Sequence, residues 1–327
     1  MAFTGTNALE QDYDTVREHC GLLDRSERGK LALSGAGAVE FLNGQVTNEL
    51  ATLGPGEGCY AAFLTHKGKM LGDVRVLAVG AGGEGAVREL LLDTERSTLQ
   101  ALFDMIRRFK VGFEVELDKR TLECGLLSLI GPDSQRLAGA EQLGADEHCH
   151  ASVEIEGLAA RAVRSDVGVD LICDADDTAG LRRALEDRGA RTVSEQSAEC
   201  LRIERGRPRY GVDLDDSVIP QEAGLNERAV SFTKGCYVGQ ETVARLHWRG
   251  RPNRHLRGLR LSEPAPSGAE LQLGDRAVGR LASSVISPRL GPIALALVRR
   301  EASPGTILVV GESGASAEVL ELPFDAD

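Results

Sequence analysis

The chain has 327 residues, of which 42% are hydrophobic, 27% charged and 4% aromatic, so its cores must be built mainly from Leu, Val and Ala. A net charge of −12 argues against a general nucleic-acid binder, because a phosphate backbone would be repelled on average. Seven scattered cysteines without a CxxC pair fit a reducing compartment and offer no zinc site.

The opening "MAFTGTNALEQDYD" lacks the basic and apolar regions of a signal peptide, and runs such as "IALALV" (293–298) are far shorter than a membrane helix requires. The expectation is a cytoplasmic protein with no membrane contact. "KLALS" (30–34) predicts a strand and "GAGAVEFLNGQVTN" (35–48) a helix; Gly35, Gly37 and Gly44 do not have dinucleotide-binding spacing. Strands are expected at 58–64, 69–79 and 87–92, the last two joined by the flexible "GAGGEG". Thr94 is placed to cap a helix over 95–109, with Arg107, Arg108 and Lys110 at its C-terminal end. "VGFEVEL" (111–117) alternates like a half-buried strand, and "LECGLLSLIG" (122–131) reads as a more buried one.

A helix opens near Pro132, followed by strands at 152–156, 159–164 and 168–173 and helices near 178–188 and 195–205. Beyond residue 251, short strands separated by Gly, Pro and Ser predict a small β-barrel. The order of elements is not strictly βαβ, so the fold class is α+β.

Four stretches carry possible chemistry. In "KGCYVGQE" (234–241), Cys236 lies between Lys234 and an expected helix start, a setting that can stabilise a thiolate; the other reading is a small buried apolar residue. Between 231 and 260, seven cations face one acid, Glu241, so the segment could hold an anionic tail or an RNA backbone, or be a solvated face balanced by distant acids. In "LRIERGRPRYGVDL" (201–214), Glu204 could accept paired hydrogen bonds from an amidine-like edge or could pair with an arginine such as Arg207. Asp73 is an acid in an apolar strand, either a buried group of perturbed pKa or one on a solvent face. His148 and His150 in "HCH" form no metal set, and no hydrolase or NTPase motif is present.

"KGCYVGQE" resembles the K-G-C-[FY]-[IV]-G-Q-E signature of YgfZ-type folate-binding proteins, relatives of the glycine-cleavage T-protein, an aminomethyltransferase. Segments 35–50, 201–214, 219–225, 249–259 and 279–300 resemble that family in the same order along the chain. The resemblance implies an aminomethyltransferase-like α+β fold of three domains. Residues 1–250 would form the folate-binding region, its first domain about 1–50 plus 135–250 and its insertion domain about 51–134, and residues 251–327 the barrel.

The same resemblance implies tetrahydrofolate as cofactor, with Glu204 on its pterin edge. Lys234, Gln240 and Arg245 are expected among the contacts, the basic stretch around Arg245 to Arg254 meeting the tail carboxylates. Cys236 and Asp73 would be the catalytic residues, with no metal. Gln240 stands where the T-protein has an arginine, and Gly72–Asp73 where it has a pair of aspartates. These departures favour an accessory protein for iron–sulfur cluster assembly or repair, partnered by iron–sulfur enzymes or cluster carriers, including tRNA-modifying enzymes. The alternatives are a folate-dependent aminomethyl or one-carbon transferase, and an RNA-contacting module using residues 234–260.

Overall fold

The structure is a computed structural model that describes residues 4–80, 87–311 and 314–324. The "GAGGEG" connection lies largely outside the described residues. The chain divides into two compact units: residues 1–64, 71–195 and 228–238 in the first, and 65–70, 196–227 and 239–327 in the second.

The first unit opens with α1 (Thr4–Glu18), β1 (Gly21–Asp24), β2 (Gly29–Ser34), α2 (Ala38–Asn43), β3 (Gly58–Leu64), β4 (Met70–Gly80) and β5 (Val87–Thr94). It continues through α3 (Leu99–Phe109), β6 (Glu116–Lys119), β7 (Cys124–Ile130), α4 (Ser134–Leu137), β8 (His150–Ile155), β9 (Leu158–Arg164), β10 (Gly168–Asp174), α5 (Thr178–Asp187) and β11 (Arg191–Thr192). One sheet has the order β3-β4-β5-β2-β6 and the other β11-β1-β7-β10-β9-β8.

Period-two alternation gives each sheet two buried faces. In β4, Val74, Val76 and Ala78 join the core under α2 and α3, with Leu102 and Ile106 of α3. Leu77 points the other way and packs with Leu91, Leu126, Val163 and Ile172, which ties the two sheets together. Asp73 and Arg75 share the Leu77 face by parity, so the sequence places charge in a layer covered by a second sheet.

Several expected elements are shorter than predicted. Helix α2 ends at Asn43, before Gly44, instead of running to 48. Thr94 closes β5 and does not cap a helix; α3 begins at Leu99 with Thr98 at its N-cap position. Residues 111–115 are not strand. Phe113 N–H donates to Lys110 O (3.0 Å), and Gly112 has φ +94°, so the alternating side chains of this stretch ride on a turn.

The second unit holds α6 (Glu195–Glu204, all but its first residue), and α7 (Asn226–Ala229) spans a boundary between the units. In the second unit, α8 (Gln240–Arg249) then leads to six strands: β12 (Arg254–Leu261), β13 (Glu270–Leu273), β14 (Arg276–Ser287), β15 (Gly291–Arg299), β16 (Ile307–Val310) and β17 (Ala315–Leu320). These close into a barrel of order β12-β15-β14-β13-β16-β17. Leu259, Leu271, Val278, Ala296, Leu308 and Val319 fill its interior. Among the described residues, no helix is long and apolar enough to cross a membrane.

Candidate functional site

Asp73 lies on the charged face of β4 and is 6% exposed. Tyr60, on neighbouring β3, donates its hydroxyl to Asp73 Oδ2 at 2.5 Å. Thr94 Oγ1 donates to the Asp73 carbonyl (2.6 Å) and so fixes the strand at this point. The guanidinium of Arg228 stands 5.1 Å from the Tyr60 ring centroid and pairs with Glu147 Oε1 at 2.8 Å. Behind them a chain of charges, buried at Asp93 and Arg75, runs from Arg28 to Asp93 (2.9 Å), to Arg75 (3.0 Å) and on to Asp170 (2.6 Å).

Burial raises the Asp73 carboxyl to about 6; the Tyr60 hydrogen bond and the positive charge of Arg28 hold it from going higher. Burial and the neighbouring Asp73 push the Tyr60 hydroxyl well above its ordinary range, so it stays protonated as a donor. This is a carboxylate held in one orientation with a proton affinity near neutrality, suited to accept and return a proton.

Gly72, which the resemblance sets against an aspartate of the T-protein, is explained by packing. A Cβ there would lie 3.2 Å from Leu102 Cδ1 and 3.4 Å from Thr98 Cβ. Residue 72 faces the apolar core under α3, so the departure leaves the Asp73 face untouched.

Lys234 is buried, and its ammonium reaches Asn43 O (2.7 Å), Asn43 Oδ1 (3.0 Å), Val46 O (2.9 Å) and Asn48 O (2.6 Å). Burial lowers its pKa to about 8, opposed by Glu49 and Cys59. Its cation therefore clamps the segment after α2 to the segment carrying Cys236, a role different from the folate contact and thiolate support expected from sequence. Ser231 N–H to Thr47 O (3.0 Å) and Thr47 Oγ1 to Ala229 O (2.5 Å) continue the same seam. Cys236 itself is exposed, whereas the other six cysteines are buried or partly buried, and all seven are free thiols. The reading of Cys236 as a buried apolar residue is therefore excluded.

In the second unit, Glu204 ends α6 and is buried. Ser287 Oγ donates to its Oε1 at 2.5 Å, while the same hydroxyl accepts from the N–H groups of Arg289 (3.1 Å) and Leu290 (3.0 Å). Ser287 thus fixes one oxygen of the carboxylate in place. Gly206, at φ +64°, turns the chain sharply after the helix.

The same motif supplies a network missed in the sequence. Arg202 pairs with Asp213 (2.7 Å) and Glu199 (2.8 Å) and bonds Ser283 (2.6 Å), so the arginine and aspartate of "RIERGRPRYGVD" build the scaffold around Glu204. Gln240 is the half-buried first residue of α8, and Arg245 is exposed further along it.

Tyr60 and Arg228 were also missed; the signal for Tyr60 was its alternation out of the Ala61–Phe63 core face. The "HCH" histidines are both buried. Burial and nearby arginines lower His148 to about 3 and His150 to about 4, so both are neutral. His148 adopts φ +76° and lies before β8, so strand parity does not place the two imidazoles on one face. Among the described residues, no group of three or more His, Cys, Asp or Glu is placed to hold a metal ion.

Comparison with known proteins gives a consistent result along the chain. Residues 3–234 match the GCVT N-terminal domain, and residues 254–325 the glycine cleavage T-protein C-terminal barrel domain. An aminomethyltransferase of Streptomyces avermitilis is 30% identical, the match covering 94% of this chain and 87% of that protein. An aminomethyltransferase of Rubrobacter xylanophilus is 27% identical over 97% of this chain and 86% of its own length. A putative chloroplastic transferase of Arabidopsis thaliana is also 27% identical, over 93% of this chain and 71% of that protein. The crystal structure of glycine cleavage system aminomethyltransferase T from Bartonella henselae superposes with a TM-score of 0.85 at 24% identity, covering 97% of this chain and 89% of the other.

Proposed function

The chain belongs to the glycine-cleavage T-protein family, and from that premise we propose that it is a cytoplasmic tetrahydrofolate-binding protein acting as an aminomethyl or one-carbon transferase. The observation that carries this reading is Asp73, a buried carboxylate raised to about 6 and aimed by Tyr60. Tetrahydrofolate, when bound, supplies nitrogens able to carry a one-carbon unit. Glu204 would receive the donor edge of its pterin, and Gln240 and Arg245 would contribute further contacts. Asp73 would take a proton from an amine nitrogen and return it, while Tyr60 keeps its second oxygen aligned. The proposed division of labour places folate binding in residues 1–250 and leaves residues 251–327 as the barrel domain. Free thiols throughout support the cytoplasmic assignment.

Two measurements test it. Titration calorimetry with tetrahydrofolate should show Glu204→Gln weakening binding roughly tenfold or more, as expected for a lost bond to a charged group. Assay of methylene-tetrahydrofolate formation from an aminomethyl donor should show Asp73→Asn losing about 10²-fold or more in turnover with folate affinity kept. Absence of turnover by the wild-type chain would sink the transferase reading.

A second reading is favoured by the exposed thiol within "KGCYVGQE": a YgfZ-type accessory role in iron–sulfur cluster assembly or repair, with iron–sulfur enzymes, tRNA-modifying ones included, as clients. Weak RNA contact through residues 234–260 would belong to the same reading, for which the exposed Arg245, Trp248 and Arg249 of α8 are suited. Aconitase activity under oxidative stress in a deletion strain decides it: rescue by wild type and not by Cys236→Ala supports a working thiol.

A further inference from the structure

A pocket of about 490 Å³ in the second unit is lined by Lys69, Glu222, Asn253, Arg254, Arg299 and Arg300, with Glu301 at the same opening. Apart from Arg254, which lies in the basic segment 234–260, none of these residues has a part in the chemistry above. Strand register creates the pocket's charge. β12 and β15 run antiparallel with Arg254 directly opposite Arg299, and Arg300 N–H donates to Asn253 O (3.0 Å) where the two strands end. Like charges directly opposite on paired strands repel, so this placement costs stability unless something negative lies between them.

The buried carboxylate nearby meets that need only at Arg254. Glu222 accepts from Arg254 Nε (3.2 Å) and Nη2 (2.9 Å), and its Oε2 also accepts from Ile219 N–H (3.3 Å). Arg254 Nη2 also donates to Ser217 O (2.9 Å), an oxygen that accepts from Lys69 Nζ as well. Arg254 and Lys69 are therefore fixed in place as positive charge. Arg299 and Arg300 are exposed, and among the described residues neither guanidinium has a hydrogen-bond or ion-pair partner.

We infer that this pocket binds a multivalent oxyanion, one carrying two or more closely spaced phosphate or carboxylate groups. Arg299 and Arg300 present planar forks that bond such oxygens in pairs, and Lys69 and Arg254 supply the field behind them. The pocket lining holds four cations and two carboxylates, so one monovalent anion would leave half of the net charge uncompensated. Linked phosphates and a run of side-chain carboxylates share the required chemistry. The inference does not rest on the folate reading.

The full chain tests it by calorimetry and thermal unfolding at a fixed ionic strength held with sodium chloride. One arm titrates pyrophosphate and the other a penta-glutamate peptide. Saturable binding that raises Tm in at least one arm is expected. Arg299→Ala with Arg300→Ala should weaken it roughly tenfold or more. Both side chains are exposed, and Arg300→Ala alone should give an intermediate loss, with far-UV circular dichroism confirming the fold. Binding of pyrophosphate alone assigns the site to linked phosphates, and binding of the peptide alone assigns it to carboxylates. No saturable binding in either arm, or equal affinity in the double variant, would overturn the proposal.

Discussion

At Asp73 a single proton decides the chemistry. The carboxyl is raised to about 6 from the ordinary 3.8, so a role as base requires activity to rise with pH through about 6 and to be lost below it. The Tyr60 hydroxyl bonds the charged form and so lowers that value. Tyr60→Phe should therefore move the acid limb of a kcat/KM profile upward by about one pH unit, the equivalent of a lost bond to a charged group. An unmoved limb would show that some other group sets the titration. The identity of Asp73 was legible in the sequence but its burial was not, because strand parity says which face a side chain takes and not whether a second sheet covers it. Cys236 was the opposite case, since its signature stood out while it lies in an irregular segment that no periodicity describes.

Among the elements, the strands were the most readable, because "GCYAAFL", "DVRVLAV" and "CGLLSLI" alternate or run apolar between turn residues. Errors fell where the same patterns ride on turns, as at Val111 and Phe113, or where a helix ends early, as at Asn43 before Gly44. The Lys234 clamp was illegible for a different reason: its acceptors at Asn43, Val46 and Asn48 lie 186 to 191 residues away in the chain. Lys234→Met keeps the volume and removes the donors, leaving main-chain carbonyls with no partner. It should cost about 3 kcal/mol in urea unfolding and speed proteolysis at Arg228, since each orphaned buried acceptor costs roughly 1–3 kcal/mol. A change under about 0.5 kcal/mol, the range of ordinary surface substitutions, would show that the seam holds without it.

For the whole molecule, the buried titratable groups set the response to acid. His148 and His150 titrate at about 3 and 4 when folded against 6.5 when unfolded, so their contribution is complete above 6.5 and is lost as pH falls toward 4. Asp73 works in the other direction, adding stability as pH falls from about 6 toward 3.8. Two histidines outweigh one aspartate. Each proton that the unfolded chain binds in excess makes stability fall by about 1.4 kcal/mol for every pH unit, so a loss of about 2 kcal/mol is expected between about pH 6.5 and 5. Urea midpoints across that range check it, and His148→Gln should flatten the slope. The division of the chain into units has a consequence of its own. Residues 65–70 belong with 196–227 and 239–327, so the chain passes from one unit to the other five times. A ribosome delivers the short 65–70 piece long before its companions exist, and the second unit cannot close until the last barrel strand has left the exit tunnel. Premature termination anywhere in the barrel would therefore strand segments in the middle of the chain, and no simple cut would release either unit as an intact fragment.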